Sequence, residues 1–161
     1  MTERVLGVDP GTAVTGYGVL ESRGNGRPGR LIECGIIRTN PRDALWNRLS
    51  VLFDGVDELI RRHHPNTLAV EDIFYGKNVR TTVTLGHARG AVLLAGARAG
   101  IAVVEFAPAS VKKAIVGNGG AAKAQVSYMV QQILRLKTPP APADAADGVA
   151  VALTYLMTRH T

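Results

Sequence analysis

Residues 5–21 read VLGVDPGTAVTGYGVLE, which is two apolar runs separated by a turn that contains Pro10 and Gly11. A third apolar run follows segment 22–29, which is rich in Gly and Arg. Runs of Val, Ile and Leu bounded by turn formers predict strands. Connections this short cannot make a parallel crossover, so an antiparallel meander is expected. The three predicted strands are Val5 to Asp9, Thr15 to Glu21 and Leu31 to Thr39.

The next segment, Asp43 to His64, carries apolar residues at three- and four-residue steps, which predicts an amphipathic helix that ends at Pro65. A fourth strand is predicted over Thr67 to Glu71. A strand, helix, strand unit makes a right-handed parallel crossover, so strand four is expected to run parallel to strands one and three. Asp9 and Glu71 each end a strand and therefore meet at the same edge of the sheet.

The remaining sequence predicts a fifth strand and further helices around it. The helix predicted over Val79 to Ala99 contains Gly86 and Gly90, and a helix-interior glycine costs about 1 kcal/mol relative to alanine. A closely packed neighbour is therefore expected along this helix. The other predicted elements are a strand over Ile101 to Phe106 and helices around Ser110 to Val116, Ala122 to Leu136 and Ala143 to Arg159.

The chain is basic, with 19 Lys and Arg against 13 Asp and Glu and a formal net charge of +6. A surplus of positive charge favours a polyanionic partner such as nucleic acid. The length of 161 residues fits one domain over residues 1–161.

The sequence predicts a soluble protein that is not exported. Cys34 is the only cysteine and cannot form an internal disulfide, which suits a reducing compartment. Residues 1–5 lack the apolar core of a signal peptide, and the apolar run 91–104 is short and interrupted by Arg98. We therefore expect a cytoplasmic location and no membrane partner.

Asp144 and Asp147 lie three residues apart near the start of the last predicted helix, so they share one face of it. Two carboxylates on one face can share a cation. The alternative is helix capping and favourable interaction with the helix dipole, which explains Asp144 better than Asp147.

Asp9 and Glu71 each have an ordinary explanation and a functional one. Asp9-Pro10-Gly11 is a common turn sequence, and Glu71-Asp72 is consistent with a strand end that reaches water. An acid that closes a buried strand, however, is poorly solvated and needs a partner. The sequence thus contains four acids that can converge on a metal ion.

Six segments together resemble, in order and spacing, the RuvC family of Holliday-junction resolvases over nearly the whole chain. The resemblance implies an RNase H-like α/β fold: a mixed five-stranded sheet with strands one to three antiparallel, strands four and five parallel to strand one, and helices on both faces. The segments are Leu6-Gly7-Val8-Asp9-Pro10-Gly11, Thr15-Gly16-Tyr17-Gly18, Val70-Glu71-Asp72-Ile73-Phe74, Gly86-His87-Ala88-Arg89-Gly90, Val111-Lys112 and Ala143-Asp144-Ala145-Ala146-Asp147.

By this resemblance the catalytic, metal-binding acids are Asp9, Glu71, Asp144 and Asp147, with Glu71 preferred over Asp72 on the family match. Oxygen ligands without a nearby Cys or His cluster indicate Mg²⁺, with Mn²⁺ as a substitute, rather than zinc. Two such ions per site would hydrolyse a phosphodiester bond. The family also implies a homodimer that nicks two opposed strands of a four-way DNA junction, leaves 5′-phosphate ends and works with the RuvA/RuvB branch-migration machinery.

The resemblance also implies DNA-binding residues. Phe74 matches an aromatic residue that stacks on an unpaired base at the crossover, and Tyr75 departs from the methionine expected beside it. Lys112 and Lys123 match basic positions beside the metals, although ordinary solvated lysines are the alternative. Gly148 departs from the usual alanine, and we expect it to loosen the helix that holds Asp147. Further strand contacts are predicted at Lys77, Asn78 and Arg80.

Two other classes of protein remain open at this point. An Asp followed by Gly and Thr near the N-terminus also opens ATP-binding domains of the sugar-kinase and actin type, but these need a second phosphate-binding glycine loop and usually a second domain. A DNA-binding module without catalysis would bind junctions whether or not the four acids were present. The helix with Gly86, Gly90, Val83 and Leu94 is the candidate dimer contact.

Overall fold

The computed structural model describes residues 2–24, 28–73 and 75–159, and its sheet has the strand order β3-β2-β1-β4-β5. Strand β2 is antiparallel to both β1 and β3, whereas β1, β4 and β5 are mutually parallel. The predicted meander, the crossover to strand four and the mixed five-stranded sheet are confirmed. The strands are β1 (Arg4–Asp9), β2 (Val14–Glu21), β3 (Arg30–Arg38), β4 (Thr67–Glu71) and β5 (Ala102–Phe106).

Helices cover both faces of this sheet. Helices α1 and α2 enclose one hydrophobic core, and α3, α4 and α5 enclose the other. The predicted helices are present with ends shifted by a few residues; α4, for example, ends two residues early, where Arg135 takes a left-handed conformation with φ 55°. The helices are α1 (Leu45–His63), α2 (Val79–Ala99), α3 (Pro108–Val116), α4 (Lys123–Leu134) and α5 (Ala143–Thr158).

Helix α5 is the central helix of the second core and lies unusually close to β1 and β2. A Cβ atom on Gly7 would lie 2.3 Å from the carbonyl oxygen of Gly148, and one on Gly148 would lie 2.4 Å from Cα of Tyr17. Glycines facing each other therefore let the backbones of helix and sheet approach. Gly148 was expected to loosen α5, but that expectation overlooked this close contact with β2.

The outer face of α2 has no such contact. No atom of the described residues lies within 4 Å of a Cβ built on Gly86 or Gly90, so the close neighbour expected there is absent within the described chain. Val79, Val83 and Leu94 are also exposed, at 74%, 53% and 53%. This surface, which we call the α2 outer face, is left uncovered by the fold. No described helix combines the length and apolar character needed to cross a membrane.

Candidate active site at the carboxyl edge of the sheet

Strands β1 and β4 deliver Asp9 and Glu71 to one edge and one face of the sheet. Because side chains alternate along a strand, Val5 and Asp9 point to the side opposite Leu6 and Val8. Val5 belongs to the α5 core, and Leu6 and Val8 belong to the core beneath α1 and α2. The same alternation puts Glu71 on the face of Ala69, which packs in the α5 core. Both acids thus end their strands on the side covered by α3, α4 and α5.

Helix α5 brings the remaining two acids to the same place. It begins at Ala143 without a side-chain cap hydrogen bond, so Asp144 does not cap the helix, although it lies in the first turn, where the helix dipole favours its charge. Asp147 follows one turn later, and its side chain is 17% exposed against 46% for Asp144. The deeper of the two acids therefore points toward the sheet.

These elements enclose a cavity of about 180 Å³, which we call the carboxylate cavity. Asp9, Glu71 and Asp147 line it together with Lys112 from α3 and Lys123 from the first turn of α4. Asp144 is not among the lining residues but contacts Lys123 directly. The apolar part of the wall is formed by Pro108, Val111, Val126 and Ala150.

Burial makes the charged forms of these acids costly. It acts together with the charge of Asp147 to raise the pKa of Asp9 from 3.8 to about 7. Burial and, after it, the charges of Asp9 and Asp147 raise the pKa of Glu71 from 4.5 to about 8. The pKa of Asp147 is also raised by burial, which outweighs the opposing interaction with Lys123. The cavity therefore holds carboxyl groups that need a cation to become fully ionised near neutral pH.

Lys123 supplies part of that positive charge. Its Nζ lies 2.9 Å from Oδ2 of Asp147 and 3.0 Å from Oδ1 of Asp144, and these hydrogen bonds raise the pKa of the ammonium group above its ordinary value. Gln125 fixes the start of α4, because its side-chain oxygen accepts a hydrogen bond from the backbone N–H of Ala122 at 2.8 Å. The lysine is thus held beside the two acids of α5.

The chemistry of the lining residues fits a divalent cation. No hydrogen bond from a described residue reaches the side chain of Asp9 or Glu71, so their oxygen lone pairs remain available as hard ligands. Across the described ranges, no three His, Cys, Asp or Glu side chains are already gathered closely enough to hold a metal ion. A cation held by Asp9, Glu71, Asp144 and Asp147 would compete with Lys123 for the two carboxylates of α5.

Asp72, next to Glu71, is directed elsewhere. Its Oδ1 lies 3.3 Å from Nε of Arg89, and Nη2 of the same arginine lies 2.5 Å from Oε1 of Glu105. Arg89 thus joins α2 to the ends of β4 and β5, a role that the sequence analysis did not assign. The only hint of this role in the sequence was the position of Arg89 inside the Gly86-to-Gly90 motif, next to a glycine of the predicted helix. Glu71, rather than Asp72, lines the cavity.

The predicted DNA-contacting residues lie beyond β4 and along the start of α2. Tyr75 is 84% exposed, and Lys77 and Arg80 are exposed as well. Asn78 caps α2 by accepting a hydrogen bond from the backbone N–H of Thr81 at 3.2 Å. Phe74 lies outside the described residues, so its predicted stacking stays a prediction. Lys113, next to Lys112 on α3, is exposed.

The raised pKa values predict how Asp9→Asn affects stability without metal. Between about pH 4 and pH 8 the folded protein binds more protons at Asp9 and Glu71 than the unfolded chain, so ionisation of these groups lowers the free energy of unfolding as pH rises. We therefore expect the melting temperature of Asp9→Asn in EDTA, measured relative to that of the unsubstituted protein at the same pH, to increase between about pH 5 and about pH 8. Each kcal/mol of difference in the free energy of unfolding corresponds to about 3 °C in melting temperature.

Thermal denaturation followed by circular dichroism measures this difference. Asp43→Asn removes an exposed carboxylate before α1 and is expected to leave the difference near zero at every pH. Saturating divalent metal should stabilise the unsubstituted protein more than Asp9→Asn. If the difference in melting temperature between Asp9→Asn and the unsubstituted protein stays constant with pH, the carboxyl groups are not buried and mutually repelling as described.

Comparison with known proteins places this geometry in context. The family described as crossover junction endodeoxyribonuclease RuvC matches residues 5–155. A protein of that name from Pelotomaculum thermopropionicum is 50% identical over 151 residues, covering 94% of this chain and 91% of its own. One from Halorhodospira halophila is 49% identical over 152 residues, covering 94% of this chain and 89% of its own. The structure of Thermus thermophilus RuvC in complex with Holliday junction substrate superposes with a TM-score of 0.90, at 36% identity, covering 98% of this chain and 94% of that chain.

Proposed function

The chain belongs to the RuvC family of crossover junction endodeoxyribonucleases, and on that premise we propose that it cuts four-way DNA junctions at the carboxylate cavity. It is a nuclease, and its role is the resolution of Holliday junctions in recombination and repair. The observation that carries the assignment to this cavity is the meeting of Asp9, Glu71 and Asp147, from three separate elements, with two lysines at one sheet edge. Residues 1–161 are proposed to act as a single nuclease domain in the cytoplasm.

The four acids Asp9, Glu71, Asp144 and Asp147 are proposed to hold two Mg²⁺ ions, with Mn²⁺ as a substitute. Bound ions of this kind activate water and offset charge on the attacking and leaving oxygens of a phosphodiester. The protein limits the access of water to these acids, so that a bound cation stabilises their negative charges better than solvent does. Val111, Val126 and Ala150 of the cavity wall serve that purpose.

Lys112 and Lys123 are proposed to bind the phosphates beside the cut. Both line the carboxylate cavity, and a lysine there can offset the charge of a DNA backbone that is otherwise repelled by the acids. Lys123 would exchange its carboxylate contacts for a phosphate oxygen when metal neutralises Asp144 and Asp147. This exchange links metal entry to DNA binding.

The exposed segment after β4 is proposed to contact the strands at the crossover. Tyr75, like Phe74 before it, can stack on an unpaired base, which contributes about 1 to 3 kcal/mol per base. The three polar residues that follow are proposed to contact phosphates or sugars, and all are exposed. They are Lys77, Asn78 and Arg80.

Two copies of the chain are proposed to act together through the α2 outer face. Each described chain carries a single carboxylate cavity, whereas paired nicks in opposed strands need two sites related by twofold symmetry. Gly86 and Gly90 weaken α2, although a Cβ on either would meet no atom of the described residues within 4 Å. When the same helix of a second copy packs on this face, the two glycines allow the helix backbones to approach closely. The contact also buries Val79, Val83 and Leu94.

Val83→Glu is expected to dissociate the dimer, because it would bury a charge in the α2 outer face. A penalty of about 3 kcal/mol corresponds to a rise of about 100-fold in the dissociation constant, measurable by sedimentation equilibrium. Val51→Glu places the same change on α1 at a residue of similar exposure, 45% against 53%, and should leave the dimer intact. Equal association of all three proteins would refute this interface.

The products are proposed to carry 5′-phosphate and 3′-hydroxyl ends that ligase can seal, and the enzyme to work alongside the RuvA/RuvB branch-migration complex. Cleavage of a labelled four-way junction, compared with a linear duplex of the same sequence, tests the substrate class. We expect paired, ligatable nicks in the junction and none in the duplex. Equal cutting of both substrates would point to a general nuclease, and tight binding without cutting would point to a non-catalytic module.

A further inference from the structure

The positive charges of this protein are unevenly neutralised. At the amino end of β1, Arg4 and Arg30 both pair with Glu21, at 2.6 and 3.1 Å. At the end of α1, Arg62 pairs with Glu33 and Glu58, each at 2.8 Å. At the opposite edge, where α1 and α2 begin, the described arginines Arg48 and Arg80 form no ion pair with a described carboxylate.

Arg48 and Arg80 line one groove of about 310 Å³, which we call the Arg48–Arg80 groove. Its lining comes from the turn between β1 and β2, from the first turn of α1 with the segment before it, and from the first two turns of α2. No carboxylate is among the described lining residues. The others are Thr12, Ala13, Pro41, Thr81 and Thr84.

The groove has a firm scaffold. Arg48 donates to the carbonyl oxygen of Thr12 and, at 3.4 Å, to the hydroxyl of Thr39. Thr39 in turn donates its hydroxyl to the Thr12 carbonyl at 3.1 Å, and its backbone N–H to the carbonyl of Ala13 at 3.0 Å. Two of the five N–H groups of Arg48 are thereby used, and the others have no acceptor among the described residues.

The groove and the carboxylate cavity lie on opposite sides of the same turn. Asp9 ends β1 on the α5 side, and Thr12 follows it on the side of α1 and α2. DNA bound at the cavity and continuing past this edge of the sheet would meet the groove next. Its phosphates are bidentate acceptors for which arginine is the preferred partner.

We propose that Arg48 extends the predicted DNA contact at Arg80 into a second phosphate-binding site, the Arg48–Arg80 groove, which holds the backbone of a junction arm at a distance from the cut. This inference rests on the proposed function, since it takes a DNA junction as the substrate. The groove carries no sequence information of its own, because phosphate contacts position the DNA without reading bases. Its contribution is affinity and orientation of the arm, while bond cleavage stays with the carboxylate cavity.

Junction binding by Arg48→Gln and Arg80→Ala, measured against salt concentration in EDTA, tests this site. Each change should lower affinity about tenfold at low salt and reduce the slope of log affinity against log salt by about 1. Arg98→Ala is the matched control, because Arg98 is an exposed arginine near the other end of α2. It should leave both quantities, and cleavage at saturating enzyme, unchanged.

Two further measurements separate a phosphate contact from a fold defect. Arg48→Lys keeps the charge and should recover most of the salt slope. A set of junctions, each with one neutral methylphosphonate at a different arm position, should locate the contacted phosphate. At that position the methylphosphonate should lower the junction affinity of the unsubstituted protein but should cause no further loss of affinity in an Arg48→Gln, Arg80→Ala double variant. If the salt slope of junction affinity is unchanged in both single variants while the unsubstituted protein cuts junctions normally, the groove proposal is wrong and the proposed function is unaffected. Failure of the unsubstituted protein to cut junctions would overturn the proposed function, and the groove proposal with it.

Discussion

Asp147→Asn is expected to lower the rate of junction cleavage by at least about 10³-fold. Asparagine keeps the shape of the side chain but removes the charge, and a loss of about 4 kcal/mol in transition-state stabilisation corresponds to this factor. Asp147 is the better test of the two acids on α5, because it lines the carboxylate cavity and is the less exposed. Single-turnover cleavage of a labelled junction in Mg²⁺ measures the effect.

Junction affinity in EDTA is expected to stay equal or increase in the same variant, because one charge that repels phosphate is gone. Asp54→Asn is the control: it alters an exposed acid of α1 and should cut at the normal rate. A rate for Asp147→Asn within about tenfold of normal would remove Asp147 from the catalytic group. A parallel loss of affinity and activity would instead indicate damage to the DNA-binding surface.

Gly16→Ala is expected to damage both the fold and the site. A Cβ atom on Gly16 would lie 1.8 Å from the carbonyl oxygen of Asp144, so the start of α5 would have to move away from β2. Overpacking of this kind costs about 3 kcal/mol, or about 10 °C in melting temperature for a protein of this size. A displacement of about 1 Å at Asp144 and Asp147 would in addition lower cleavage by the remaining folded protein about 100-fold.

Gly120→Ala is the matched control for this substitution. A Cβ at Gly120 meets its nearest atom, Oδ1 of Asn118, at 3.5 Å, which is an ordinary contact distance. Melting temperature and cleavage rate at a temperature where both variants are folded separate the two effects. If Gly16→Ala melted and cut like Gly120→Ala, the close packing of α5 on β2 would be wrong.

The convergence of Asp9 and Glu71 could be predicted from sequence because it depends on chain direction. Short connections predicted the meander, the crossover rule predicted the direction of β4, and both acids end parallel strands. The choice of Glu71 over Asp72 came from the family match, and the packing of β4 agrees with it. Alternation along Leu68, Ala69 and Val70 directs Glu71 to the α5 side, and the Asp72 side chain instead pairs with Arg89.

Contacts between elements distant in sequence could not be predicted in this way. The bridging of Asp144 and Asp147 by Lys123 depends on how α4 packs beside α5, which leaves no periodic pattern in the sequence. The close approach of Gly148 to Tyr17 was missed for the same reason, since local helix propensity pointed to a weakened helix. Arg48 was missed because its side chain, as far as the described residues go, bonds only to Thr12 in the turn after β1 and to Thr39 just after β3.

Incubation of a synthetic mobile four-way junction with the purified protein, in Mg²⁺ and in EDTA and beside an Asp9→Asn control, tests the central claim most directly. The claim is that buried acids from β1, β4 and α5 hold the cations that cut the junction. We predict symmetric nicks with ligatable 5′-phosphate ends only for the unsubstituted protein in Mg²⁺. Nicks that persist in EDTA, or that Asp9→Asn makes at the normal rate, would contradict it.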